Sequence, residues 1–276
     1  MGPSAIRCAR LADRLARLGT QVRDVGNIEV PVAESRDGGG RVRFLDEIVE
    51  VCTGLSRRVA DALGRGCLPL VLGGDHSVAM GSLAGRARAG RSGGVIWVDA
   101  HADFNTDRTS PSGNVHGMPL AAACGHGADG LVALAGGAAV AHEHVVLVGT
   151  RSVDREEGLL LREAGIRVYS MRDIDERGMA EVMREAMARA SAGGGQGIHV
   201  SLDLDVLDPV FAPGVGTPVA GGLTYREAQL AMEMLADSRL VCGLDVVEVN
   251  PALDERNRTA QLAVDLVASA LGERIW

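Results

Sequence analysis

Val95-Ile96-Trp97-Val98-Asp99-Ala100-His101-Ala102-Asp103-Phe104-Asn105 is the stretch that decides the fold. Its first four residues form an unbroken apolar run, which reads as a strand buried on both faces. Polar side chains then recur at every second position. In extended chain such positions point the same way, so Asp99, His101 and Asp103 converge just past the strand. A solvated turn would be richer in Gly, Ser and Asn and less regular. Two carboxylates and an imidazole in this spacing favour a metal site.

Outward from this stretch, apolar runs at 68–72, 145–148, 166–169, 198–204 and 240–249 also read as strands. Between them, 46–63, 77–88, 156–164, 179–190, 225–235 and 259–271 carry apolar residues at helical spacing. Strand-then-helix alternation predicts an α/β fold: a mostly parallel sheet with helices on both faces, a three-layer α/β/α sandwich. The Gly-rich segments 36–40 and 191–197 are too short for linkers and read as surface turns, so residues 1–276 form one domain.

Composition narrows the chemistry. All 28 basic residues are arginine, so no lysine can form a Schiff base or hold a phosphate in a P-loop. Against them stand 36 acidic residues and a net charge of −8, which excludes a broad basic surface for nucleic acid. No apolar run reaches the roughly 18 residues that span a bilayer, and the N-terminus has no signal-peptide pattern. The five scattered cysteines have no metal spacing and read as reduced core residues of a cytoplasmic protein. The core itself must be aliphatic, since only 3% of residues are aromatic.

In open parallel sheets ligands bind beyond the carboxyl ends of the strands. Three further runs end in polar clusters there. After 68–72 comes Gly73-Gly74-Asp75-His76-Ser77, which sets His76 at a helix start; alone, this motif divides evenly between a ligand and a packing histidine. In Ser201-Leu202-Asp203-Leu204-Asp205-Val206-Leu207-Asp208-Pro209, Asp203 and Asp205 share one strand face among apolar residues. Unpaired, they would repel and raise each other's pKa; a divalent cation removes that cost. Asp208, before proline, reads as a turn residue. Glu248, in Leu244-Asp245-Val246-Val247-Glu248-Val249-Asn250-Pro251, reads locally as a structural ion pair with an arginine. Two histidines and four aspartates without cysteine suit Mn²⁺, Fe²⁺ or Co²⁺. Six ligands exceed the need of one ion, so a two-metal hydrolytic site is expected.

The motifs GGDHS, DAHADFNT, SGNVHGMP, SLDLDVLDP and DVVEVNP resemble, in order and spacing, those of the ureohydrolases, above all the arginases, over nearly the whole chain. The resemblance implies an α/β/α sandwich with two Mn²⁺ per subunit in a homotrimer or homohexamer. It implies that His76, Asp99, Asp103 and Asp203 hold one ion and Asp99, His101, Asp203 and Asp205 the other. By the same likeness His116 is a proton shuttle, and Glu248 pairs with a guanidinium, against the local reading. Thr217 lines the site. The reaction implied is attack of a metal-bridging hydroxide on the guanidinium carbon of L-arginine, giving L-ornithine and urea, with Asp103 passing a proton to the leaving amine. Asn105 and Ser112, with Asn114 nearby, match contacts to the α-carboxylate. Asp154 matches the contact to the α-amino group, and Glu157 a water-mediated one.

Two departures stand out. Ser152 replaces an acidic residue, and Arg155-Glu156 a Pro-Gly, which affects the amino-group end of the pocket. The family also starts with a strand, an inner one of its sheet, ahead of the segment matching Met1-Gly2-Pro3-Ser4. Its lack predicts a gap in the sheet and a chain truncated at its start. The rivals are an amidinohydrolase for agmatine or a guanidino acid, a two-metal phosphoesterase, and a non-catalytic metal-stabilised protein. The phosphoesterase would need cationic side chains where Asn, Ser, Asp and Glu stand. The non-catalytic protein would have no use for His116 and Glu248. His126, His142, His144 and His199 read as surface or packing residues.

Overall fold

The computed structural model describes residues 1–31 and 38–274. Six strands, β1 (Leu70–Leu72), β2 (Gly94–Val98), β3 (Val145–Thr150), β4 (Arg167–Ser170), β5 (Ile198–Asp203) and β6 (Val241–Val247), form one sheet in the order β1-β6-β5-β2-β3-β4. All five pairings are parallel. The strands are short and aliphatic, and β2, β3 and β5 are buried along their whole length.

Alternation along β2 makes the three layers. Val95 and Trp97 pack with Ala79, Leu83 and Leu161 on one face, while Ile96 and Val98 join Val182, Met183 and Leu235 on the other. The first face carries α3 (Leu45–Gly64), α4 (Val78–Arg88), α5 (Pro119–Ala123), α6 (Asp129–Val132) and α7 (Arg155–Glu163). The second carries α1 (Gly2–Cys8), α2 (Leu11–Arg17), α8 (Met171–Arg177), α9 (Met179–Ser191), α10 (Tyr225–Ser238) and α11 (Arg258–Ala270). Capping boxes from Asp154, Ser170 and Thr224 start α7, α8 and α10 and set the direction in which the chain leaves each loop. The short helices α1, α2, α5, α6 and α8 have no sequence reading, because four to seven residues hold too few turns for a periodic pattern.

The predicted gap does not open among the six strands, which are contiguous. Exposure falls instead at the outer edge of β1, whose residues are half-buried and, among the described residues, pair only with β6. Residues 21–31 have no regular secondary structure, and no backbone–backbone hydrogen bond joins them to other described residues. They are tied down by side chains. Arg7 of α1 donates to Asp24 and Asn27, and Arg58 of α3 donates to the Val25 carbonyl. The cysteines need a correction too: Cys52 and Cys124 are buried, but Cys8 and Cys67 are exposed, and all five are free thiols. Of the segment 36–40, positions 36 and 37 lie outside the described residues.

Candidate active site

From β1 the chain passes to β2, β3 and β4 in one direction, then returns to β5 and β6 on the other side of β2. The crevice between β2 and β5 is therefore a topological switch point, where ligands of α/β proteins bind. Asp99 follows β2 and Asp203 ends β5, side by side at that point. His76 arrives from the loop after β1 and Glu248 directly after β6. Asp103 and Glu248 both hold left-handed backbone, at φ 51° and 64°. Non-glycine residues there carry backbone strain, which gathers at functional sites.

The carboxylates and imidazoles close tightly. Nδ1 of His76 lies 3.0 Å from Asp99, 3.1 Å from Asp103 and 3.2 Å from Asp203, yet this buried nitrogen has no hydrogen-bond partner. Nδ1 of His101 is 3.0 Å from Asp205 and 3.5 Å from Asp99. Two triads, His76–Asp99–Asp103 and Asp99–His101–Asp205, bring their ligand atoms within 4.8 Å of one another and share Asp99. Asp203 stands outside both triads but borders the first through His76.

Electrostatics shows how much positive charge the cluster calls for. Burial, then the Asp99 charge, pushes the Asp103 carboxyl up to about 7. Burial, then Asp205 and Asp99, raises Asp203 well above the carboxylate range, and burial with Asp99 raises Asp205. Burial works to lower His101, but hydrogen bonds to Asp205 and Asp99 together carry it up to about 11. Burial would raise Asp99, yet His101 and His76 hold it below the usual range. Crowded carboxylates that draw protons onto their histidines make a donor set for divalent cations.

A cavity of ≈ 210 Å³ opens above this cluster. Its lining includes every site residue expected from the sequence except Asp99, which is wholly buried beneath. Glu248 accepts the His76 backbone N–H through Oε1 at 3.0 Å, and His116 Nδ1 is 3.5 Å from the same oxygen. The hydrogen bond to Glu248 outweighs burial and raises the His116 pKa. The Thr217 hydroxyl donates to Asp205 at 3.1 Å. Asn114 caps the 3-10 turn Val115–Gly117, which carries His116, and donates its backbone N–H to the Ser112 hydroxyl.

At the far end Asn105 donates to Asp154 at 2.9 Å and accepts from Thr109. Both oxygens of the buried Glu157 already accept backbone N–H groups, from Phe104 and Asp154. Glu157 thus staples the Asp99–Asn105 loop to the start of α7. Sequence reading missed three side chains that organise the site. Trp97 stacks on His76, with centroids 4.0 Å apart, and donates to Asp99. Arg151 donates to the carbonyls of Asp205, Val206 and Val219. Asp245, wholly buried, holds His199, which is a packing histidine with a charged partner. Each follows or sits within an apolar strand, but a single buried polar residue has no spacing to reveal it. His126 and His142 do lie at the surface, where their Nε2 atoms meet at 2.8 Å.

Comparison with known proteins agrees with this geometry. A model of the Arginase family matches residues 1–272. The arginase of Bacillus caldovelox is 50% identical over 278 residues, covering 100% of this chain and 93% of that protein. Its native structure at pH 5.6 superposes with a TM-score of 0.96, again over 100% and 93% of the two chains. The Entamoeba histolytica arginase in complex with L-ornithine, 30% identical, gives 0.88 over 99% and 91%. No described helix is long and apolar enough to cross a membrane. The chain belongs to the arginase family, and it is an amidinohydrolase.

Proposed function

We propose that the chain hydrolyses the guanidinium group of L-arginine to L-ornithine and urea, using two Mn²⁺ per subunit, as a cytoplasmic homotrimer or homohexamer. The observation that carries this is the pair of triads sharing Asp99 on the floor of a cavity whose wall holds Glu248 and His116. The donors fit such ions. They are hard oxygens and imidazole nitrogens without a thiolate, and the His76 Nδ1 is buried and unpartnered among three carboxylates. His76, Asp99, Asp103 and Asp203 would hold one ion, and Asp99, His101, Asp203 and Asp205 the other. When bound there, two such ions would supply positive charge and lower the pKa of water toward neutrality.

The remaining work falls to the chain's own groups. The His76 backbone N–H fixes Oε1 of Glu248, which leaves Oε2 to pair with the guanidinium. Asp103, on the floor of the cavity, can carry a proton to the leaving amine. His116, partly open to solvent at the cavity wall, passes protons between the site and water. Thr217 steadies Asp205. Asn105, Ser112 and Asn114 would hold the α-carboxylate and Asp154 the α-amino group, with Glu157 behind it through a water. The L-ornithine bound by the Entamoeba histolytica relative supports the same product here.

The test is urea release by Mn²⁺-loaded protein from arginine, agmatine and guanidinobutyrate. Arginine is expected to be hydrolysed fastest. No urea from arginine would overturn the reading, and a faster rate on agmatine would move the substrate to a guanidino amine.

A further inference from the structure

The polar face of β5 continues past the metal cluster into the core. His199, Ser201 and Asp203 alternate with Ile198, Val200 and Leu202, which pack in the main hydrophobic cluster. Asp203 reaches the cavity, whereas His199 and Ser201 do not line it and are at most 1% exposed. Across the strand pair, Ser201 is in register with Asp245 and His199 with Gly243.

Asp245 is fully buried. A carboxylate in such a place is tolerated only when hydrogen bonds replace its hydration. Asp245 has three. Ser82 of α4 donates to Oδ1 at 2.7 Å, while His199 Nε2 at 2.8 Å and the Ser201 hydroxyl at 3.4 Å reach Oδ2. The position opposite His199 is shaped for it: a Cβ at Gly243 would sit 2.7 Å from His199 Nδ1. The imidazole occupies the space that any side chain there would fill.

The chain of donors runs on to His76. Its Nε2 lies 2.8 Å from the Ser201 oxygen. A serine has one proton to give, and here it goes to Asp245, so Ser201 accepts the N–H of His76. That direction puts the His76 proton on Nε2 and leaves Nδ1, which faces Asp99, Asp103 and Asp203, as a bare lone pair. Trp97, stacked nearly parallel to the ring at 10°, holds its plane.

We propose that Asp245 and His199 are positioning residues for the metal centre: through Ser201 they set the tautomer and orientation of His76. The inference rests on His76 being a metal ligand, as in the function proposed above. A carboxylate that touches neither substrate nor cavity thereby governs the affinity of one metal position. Groups in this relation to a ligating histidine change metal affinity about 10- to 100-fold when removed.

The experiment is a Mn²⁺ titration of the full chain, with free Mn²⁺ read by electron paramagnetic resonance, alongside thermal unfolding of the metal-free protein. Asp245→Asn and His199→Ala are expected to weaken one of two Mn²⁺ positions about 10- to 100-fold and leave the other near wild type. His199→Gln, which returns a donor, should recover most of the loss. If Asp245→Asn does not fold, Ser82→Ala removes one of the three donors and provides the same comparison. Wild-type affinity at both positions in these variants overturns the inference. So does weakening of both positions in step with a fall in the metal-free melting temperature, which is the mark of a merely structural role. Wild-type protein that binds no Mn²⁺ overturns the reading of the centre itself, and this inference with it.

Discussion

Arg151 gives the sharpest stability prediction. It follows β3 and reaches over to the turn that holds Asp205, donating to the carbonyls of Val219 at 2.7 Å, Asp205 at 2.8 Å and Val206 at 3.0 Å. Contacts to Gly149, Leu207 and Ala220 are longer, at 3.3 Å. One guanidinium thus clamps the 205–207 turn to the 219–220 loop. Each of the three short bonds from a charged donor contributes about 1.5–3 kcal/mol, so the gross value is roughly 4–9 kcal/mol. Burial opposes the charge and lowers the Arg151 pKa, and the side chain remains partly wet, so water recovers part of the loss on substitution. A net cost of about 3–4 kcal/mol for Arg151→Met follows. For a chain of this size each kcal/mol moves the midpoint by about 2 °C, so Tm should fall by roughly 6–8 °C. Arg151→Lys should lie about halfway, because a single ammonium cannot span both loops as a planar fork does. The assay is thermal unfolding of the metal-free protein by circular dichroism, which keeps metal affinity out of the comparison. A midpoint for Arg151→Met within about 1 °C of wild type would refute the reasoning.

Three other outcomes are expected. His116→Asn should cut turnover about 100-fold while metal content, measured by mass spectrometry of the dialysed protein, stays at the wild-type value; lost metal would place His116 in the ligand set. Cys52 and Cys124, whose thiols burial pushes up to about 12, should resist iodoacetamide at pH ~8, whereas the exposed Cys8 and Cys67 react. Peptide mapping that finds all four modified at one rate would contradict this. For His126, burial and then His142 lower the pKa, so the folded state disfavours its protonated form. Its contribution to stability is complete above the ordinary imidazole value of 6.5 and is eroded as pH falls below it toward the folded value. The urea midpoint of His126→Gln should therefore change less with pH across that range than that of wild type, and parallel slopes would speak against it.

The layers and the grouping of carboxylates and imidazoles were legible because both rest on local periodicity. Four apolar residues in a row mark β2, and alternate polar residues after it mark Asp99, His101 and Asp103. The same two-residue period marks Asp203 and Asp205. Glu248 was misread from its own neighbours because its partner is a backbone N–H of residue 76, brought close only by the pairing of β1 with β6. Glu157 reads as a water-mediated substrate contact; invisible in the sequence is that both its oxygens also accept backbone N–H groups, from Phe104 and Asp154. The place of β1 at the sheet edge was not legible, since the order of strands is a property of crossovers and not of any one run.

The side chains that escaped share a cause. Trp97, Arg151 and Asp245 act on groups that other strands or loops bring next to them: His76, the carbonyls of the 205–207 and 219–220 segments, and Ser201 with His199. Their placement follows from register. Because Ser201 pairs with Asp245, a one-residue slip between β5 and β6 would set Ser201 against an aliphatic side chain and send Asp245 to the opposite face. That face packs Leu244 and Val246 into the main hydrophobic cluster. The cost of an unpaired buried carboxylate therefore enforces the register that brings β5 and β6 to the cavity at the same height. The same polar pair that orients His76 also disfavours the misfolded sheet in which Asp203 and Glu248 would not meet. Stability of the register and geometry of the metal centre are thus one constraint, expressed through Asp245.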